Sequence, residues 1–236
     1  MQWMHLRFEA PLASFGGEAI DARGVTRDFP ARSMLTGLFA NALGWTRAMK
    51  AAHDALQDRI IFAAAHDEDP DLRRFTDYQT ARLDKADKAW TTRRVPLGRT
   101  GGPQTYSGAH QRWRDYHSDV RLSLVVRLEP DGPSPTLRQL ADALRWPARP
   151  LFLGRKPCLP SAEIFRAWVD EVDARSALSA VVPVGRRAYA IWPHSENVTG
   201  AHAVRFVTDE RNWASGLHGG ARPVCTGRVV GRKEPR

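Results

Sequence analysis

The chain is 236 residues long, 42% hydrophobic, and carries a formal net charge of +9, which suits one generous domain or a domain with a small appendage. Its longest apolar runs, such as residues 60–65, fall far short of a bilayer crossing, and its two cysteines, Cys158 and Cys225, match no metal-binding spacing. A membrane-spanning helix, a disulfide framework and a zinc motif are set aside; with Arg7 and Glu9 near the start and no apolar leader, a reducing, cytoplasmic setting is expected.

Only five of the 35 basic residues are Lys, at 50, 85, 88, 156 and 233; the rest are Arg. Arg presents a planar fork that pairs bidentately with phosphate and stacks on bases, so a polyanion is the leading partner class. RNA, DNA and an acidic membrane surface are all admissible on charge. A high-GC genome would also enrich Arg without any functional cause.

Residues 2–8 alternate Met4, Leu6 and Phe8 with His5 and Arg7, the pattern of a half-buried strand. An irregular stretch follows to residue 32, holding Pro11, Gly16, Gly17, Gly24 and Pro30; a loop of this length in a compact domain is usually functional. Ser33 then reads as the N-cap of a helix whose stripe is Met34, Leu35, Leu38, Phe39, Ala42 and Leu43, ending at Gly44. A second helix is expected over 47–56 and a strand over 59–65.

The apolar pattern stops after Tyr78. Residues 82–114 hold eight cations (Arg82, Lys85, Lys88, Arg93, Arg94, Arg99, Arg112 and Arg114) against Asp84 and Asp87, and are punctuated by Gly98, Gly101, Gly102, Pro103 and Gly108. This reads as an insertion. A strand resumes at Val120, Thr136 caps a helix with the stripe Leu137, Leu140, Ala141 and Leu144, and 151–153 reads as a short strand. The order strand, helix, strand, insertion, strand, helix, strand is that of an α+β, ferredoxin-like fold of the kind RNA-recognition motifs use. Beyond residue 160, helices over 164–172 and 175–181 and strands over 187–192, 203–208 and 223–230 are expected to form a small β-rich C-terminal lobe. The division is thus 1–160, with 82–114 inserted, and 161–236.

Three places could carry chemistry. The run 24–33 leads into the first helix with Thr26, Arg27, Arg32 and Ser33, and Arg23 lies just before it. A helix N-terminus offers unpaired N–H groups to a phosphate, and neighbouring guanidinium groups would add charged hydrogen bonds. The loop 153–158 follows Gly154 with Arg155 and Lys156, a backbone that permits close approach beside two cations. The basic insertion interleaves Trp90, Tyr106, Trp113 and Tyr116 with cations, which suits unpaired bases stacked on rings. Solvated arginines and tryptophans packed on the domain are the plainer alternative for each. His117 next to Tyr116, with His110 and Lys88 near in sequence, is the material a metal-independent ribonuclease would need. The chain has no H-E-x-x-H pair, nucleophile elbow or phosphate-binding G-x-x-x-x-G-K motif, so no metal or nucleotide cofactor is expected.

Segments 6–16, 29–33, 37–44, 111–116, 152–158 and 195–200, in that order, resemble the CasD-type subunits of type I-E Cascade, the Cas-five family of the RAMP superfamily. The resemblance implies a ferredoxin-like domain with a protruding thumb over 82–114 and a small C-terminal lobe. It implies a non-catalytic subunit of an antiviral CRISPR ribonucleoprotein, holding the 5′ handle of the guide RNA (crRNA), capping the backbone filament and touching the large subunit, with target DNA engaged indirectly. Arg23, Thr26, Arg27, Arg32 and Ser33 would lie along the handle, Arg155 and Lys156 on the adjoining glycine loop. Arg82, Lys85, Lys88, Arg93, Arg94, Arg112, Trp113, Arg114 and Tyr116 would belong to or border the thumb. A sister branch of the family cuts precursor RNA itself with a Tyr, Lys and His set. A precursor-processing endoribonuclease is accordingly the enzyme alternative, and a purely structural subunit whose arginines serve protein contacts is the third reading.

Overall fold

The computed structural model describes residues 1–17, 22–67, 73–82, 109–196 and 199–232, and the backbone of two short strands at 89–90 and 96–97. In chain order the elements are β1 (Gln2–Ala13), β2 (Arg23–Gly24), α1 (Arg32–Ala42), α2 (Lys50–Arg59), β3 (Ile60–His66), β4 (Arg74–Ala81), β5 (Ala89–Trp90), β6 (Pro96–Leu97), β7 (His110–Leu128), α3 (Leu137–Arg145), β8 (Phe165–Asp170), α4 (Ala174–Val181), β9 (Arg187–Pro193), β10 (Ala201–Val207) and β11 (Arg222–Val230).

Seven strands form one path, β10-β11-β9-β3-β7-β1-β8, with β2 and β4 added on β7. Neighbours along the path are antiparallel, while β2 runs parallel to β7. At its centre the order is fourth, first, third, second: β8, β1, β7, β3. Each helical crossover therefore skips one strand, β1 to β3 by way of α1 and α2, and β7 to β8 by way of α3. The mixed α/β architecture is dominated by its sheet.

Period-two alternation assigns the two faces. Met4, Leu6 and Phe8 of β1, Phe62 of β3, and Leu122, Leu124 and Val126 of β7 join Leu35, Leu38, Phe39, Leu56, Leu140 and Leu144 in the main core, so α1, α2 and α3 cover this face. On the other face α4 covers a smaller cluster of Trp3, Ala63, Ala65, Val125, Ala190 and Trp192. Small residues on β3 let that helix sit close. Cys158 and Cys225 are both buried and unpaired.

Several expectations shift here. The strands read as a C-terminal lobe, β9 to β11, hydrogen-bond into the same sheet through β3. Residues 151–153 are not a strand; Leu153 instead exchanges backbone bonds with Ser14 and Cys158. The fourth central strand is β8, where a helix was expected. Ile164, Phe165, Trp168, Val169 and Val172 have helical spacing, but the open edge of β1 pairs with this segment from Gln2 to Leu6, and the ladder overrides the local period. β7 begins at His110, and its first half pairs with β4 from Arg74↔His117 to Ala81↔His110. Residues 110–114, expected within the irregular insertion, thus belong to a regular β4–β7 arm that β2 joins at Trp113 and Arg114.

The cap at Thr136 is as read from sequence. Its side chain accepts from the Gln139 N–H at 3.2 Å, and the Gln139 side chain accepts from the Thr136 N–H at 2.8 Å. Thr136→Ala should cost about 1 kcal/mol, read as a lowered midpoint with unchanged slope in urea denaturation.

Candidate nucleic-acid interface

A groove of about 720 Å³ lies between α1, the loop after β1, the loop after α3 and the segment between β10 and β11. Arg27, Arg47, Arg149, Arg155, Lys156 and Arg211 line it, with Asp209 the carboxylate among them. Gly16, Gly17 and Gly154 bring bare backbone to its wall, and Trp45, Phe152 and Trp213 add apolar surface. Cations, accessible backbone and aromatic rings in one concavity suit a single-stranded polyanion with bases.

Two loops form the glycine wall. Gly154 has φ +92°, and a Cβ there would stand 1.6 Å from the Ser14 carbonyl oxygen, so only glycine lets these chains touch. Ser14 N–H donates to the Leu153 carbonyl at 3.1 Å. The next residues fold back on themselves: Phe15 N–H donates to Thr26 Oγ1 at 2.9 Å, and Arg27 N–H to the Gly16 carbonyl at 2.8 Å. Gly16 makes that turn at φ +76°.

The N-terminus of α1, expected to be open to a phosphate, is already filled. Its N-cap is Ala31 and not Ser33, and no cap comes from that side chain. The Asp209 carboxylate accepts the Arg32 N–H at 3.1 Å, while the Asp209 carbonyl accepts the Ser33 N–H at 3.0 Å. Asp209 is buried, and Arg222 grips both its oxygens at 2.9 and 2.7 Å. A carboxylate at this position is favoured by the same orphan donors that would hold a phosphate. Arg32 pairs with Glu210 at 2.6 Å, and burial, with Arg222 close by, pushes its pKa below the usual value.

The residues singled out in the sequence divide by position. Arg27, Ser33, Arg155 and Lys156 line the groove. Arg27 Nη2 donates to the Thr208 carbonyl at 2.7 Å, across to the opposite wall. Arg155 donates to the Asp115 and Gly24 carbonyls at 3.0 and 2.9 Å and lies 4.7 Å from the Tyr116 ring centre; Lys156 is exposed. Thr26 is buried, its hydroxyl spent within the loop. Arg23 stands 5.7 Å from the Trp113 ring, and Arg114 Nη1 donates to the Ala22 carbonyl at 2.9 Å, so the arm and β2 are stitched together. Tyr116 is buried and stacks on Phe75 at 5.7 Å, whereas Arg82 and Arg112 are exposed. Lys85, Lys88, Arg93 and Arg94 lie outside the described residues. His117, the catalytic alternative, is 1% exposed, and its Nε2 sits 2.9 Å from the Arg27 carbonyl. Among the described residues, no three His, Cys, Asp or Glu side chains gather as a metal site, and no helix is long and apolar enough to cross a membrane.

Residues 3–225 match a family model described as CRISPR-associated protein (Cas_Cas5). The chain belongs to this family. It is 27% identical over 213 residues, 88% of each chain, to the CRISPR system Cascade subunit CasD of Escherichia coli (strain K12). In three dimensions it is similar to a chain of a CRISPR RNA-guided surveillance complex, with a TM-score of 0.70, 21% identity, and coverage of 97% of this chain and 90% of the other. A crystal structure of a Cas protein matches at a TM-score of 0.59 and 20% identity, covering 99% and 100% of the two chains. The family identified from ordered sequence segments is thus the one the whole chain matches.

Sequence reasoning missed Arg47, Arg149 and Arg211, three of the cations that line the groove. They come from three separate connections with no shared motif, and only folding gathers them. Asp209 was missed because a single acid in a basic chain gives no signal until its partners are known. Asp209→Ala should cost about 3–5 kcal/mol, since it strands the largely buried Arg222 guanidinium and the Arg32 amide; calorimetric unfolding checks this, and Arg222→Ala should cost a similar amount.

Proposed function

We propose that the chain is a subunit of a crRNA-guided CRISPR surveillance complex of the Cascade type, and that its groove holds the 5′ handle of the guide RNA. The observation that carries this reading is the joining of six cations and two glycine-bearing loops in a single concavity. Cationic side chains supply the sequence-independent grip on phosphates, while bare backbone lets the strand come within hydrogen-bonding reach. Family membership and the similarity to a Cascade subunit and to a surveillance-complex chain support the assignment.

In this reading the central strands and their two crossovers are the ferredoxin-like frame. The β4–β7 arm is the base of the thumb, and Arg82, Arg112, Trp113 and Arg114 meet the RNA along it; Lys85, Lys88, Arg93 and Arg94 belong to the same basic stretch of sequence. Arg27, Arg155 and Lys156 contact the handle within the groove, joined by Arg47, Arg149 and Arg211. Thr26, Arg32, Ser33 and Tyr116 shape the walls, and Arg23 steadies Trp113. The chain caps one end of the backbone filament and touches the large subunit, in the cytoplasm. The role is binding and not cleavage: a general base must reach its proton through open space, and His117 lies beneath the loop it bonds.

Binding of a labelled single-stranded repeat RNA, measured on the assembled complex, should weaken steeply with salt, the logarithmic slope being about −0.7 per phosphate contacted. Lys156→Ala with Arg149→Ala should make that slope shallower by about 1.4, two contacts together, and lower affinity at least about a hundredfold, at about 1.5–3 kcal/mol per charged contact. An unchanged slope would remove the groove from the path of the RNA. Incubation of repeat RNA with the protein in EDTA should leave it intact; discrete cuts that vanish in His117→Ala would overturn the non-catalytic assignment.

A further inference from the structure

Two histidines on neighbouring strands lie buried under the loop that carries Arg27, and the RNA-binding role leaves both unexplained. His66 ends β3 and His117 lies on β7; they are 5% and 1% exposed, and their ring centres are 6.1 Å apart. Each faces a different peptide carbonyl of one short stretch. His117 Nε2 is 2.9 Å from the Arg27 carbonyl oxygen, and His66 Nε2 is 2.5 Å from the Asp28 carbonyl oxygen. A carbonyl only accepts, so both rings carry their proton on Nε2 and act as donors. Among the described residues His117 Nδ1 is buried without a partner, and a buried nitrogen in that state carries a cost that the rest of the packing must offset.

The surroundings fix both rings. Phe15 packs 5.4 Å from His117 and 6.3 Å from His66, and Phe29 packs 5.0 Å from His66. Phe15 and Phe29 come from the two ends of the loop, so the loop closes over the imidazoles that hold it. Burial pushes the His66 pKa down to about 4, in keeping with a neutral donor. The Arg27 carbonyl also accepts from Thr26 Oγ1 at 3.3 Å, and the Arg27 N–H is tied to Gly16. Both peptide groups of Arg27 are thereby pinned, which sets the direction in which its side chain leaves the loop.

We infer that His66 and His117 are positioning residues for the RNA groove: paired imidazoles that clamp successive carbonyls of residues 27 and 28 and so aim the Arg27 guanidinium across the groove. The inference rests on the reading of the groove as the RNA site. It assigns the histidine that resembled a catalytic base to a conformational task, one that depends on N–H donation and not on proton transfer.

A double-mutant cycle on the assembled complex, with labelled single-stranded repeat RNA as probe, separates the possibilities. Arg27→Ala should weaken binding about tenfold, the loss of one charged contact. His117→Phe keeps a buried ring but loses the donor, and should weaken binding by a similar factor. Combining the two should add little beyond either alone, because both act on one guanidinium. His117→Gln, which restores an N–H donor, should recover most of the loss. If His117→Phe does not fold, His66→Phe and His66→Gln carry the same comparison at Asp28. Wild-type binding by the Phe variants while Arg27→Ala is impaired overturns the positioning role and leaves the groove assignment standing. Losses that multiply in the double variant, or a Gln variant as weak as the Phe variant, also overturn it. Wild-type binding by Arg27→Ala removes this contact from the RNA path, and the inference with it.

Discussion

The Asp209 carboxylate, buried against the first turn of α1 and gripped by Arg222, is the contact on which the shape of the groove depends. It comes from the connection between β10 and β11, far from α1 in sequence, and it satisfies the Arg32 N–H, a helix donor otherwise without an intrahelical partner. With Ser33 bonded to the Asp209 carbonyl and Arg32 paired with Glu210, this connection becomes a fixed wall. Arg27 reaches it through Thr208, and Gln57 of α2 accepts the Arg211 N–H at 3.1 Å. A chain of polar contacts thus sets a cationic wall opposite the two glycine loops. The helix terminus contributes by holding protein in place, and the anion it selects is the chain's own.

That arrangement explains how so basic a surface avoids collapse into internal ion pairs. Acids near the groove are committed elsewhere: Asp209 to Arg222, Glu210 to Arg32, and Asp28 to Arg74. The guanidinium groups that stay on the lining are anchored largely through backbone carbonyls. Arg149 donates to the Gly44 and Trp45 carbonyls, Arg155 to those of Gly24 and Asp115, and Arg27 to that of Thr208. A carbonyl partner orients a cation without cancelling its charge, so the groove keeps its positive potential. Beneath the loop too the partners are backbone carbonyls, bonded by the His66 and His117 rings.

Much of the frame was legible in the sequence because its signals are local. Alternation in β1 and β7, the apolar stripes of α1 and α3, and the Thr136 capping box each report on a few neighbouring residues, and each appears near its expected place. Family membership was legible for a similar reason, through short segments in a fixed order. The failures have non-local causes. Residues 164–172 carry a helical period, but an unpaired β1 edge recruited them as a strand. Ser33 looked like a cap until a distant aspartate took that role, and the pairing of β9 with β3 has no local signature. Of the groove's lining, Arg27 was singled out for its place in the loop before the first helix, and Arg155 and Lys156 for charge next to Gly154. Arg47, Arg149 and Arg211 were invisible, as their proximity is created only by the fold.

The central claim is that a guide RNA lies in the groove between the glycine loops and the wall held by Asp209. Ultraviolet crosslinking of the assembled particle, followed by mass spectrometry of the adducts, tests it most directly. The account predicts RNA adducts on peptides spanning residues 14–27, 152–156 and 208–218. Adducts confined to other surfaces of this chain, or their absence from a particle whose other subunits crosslink, would contradict it.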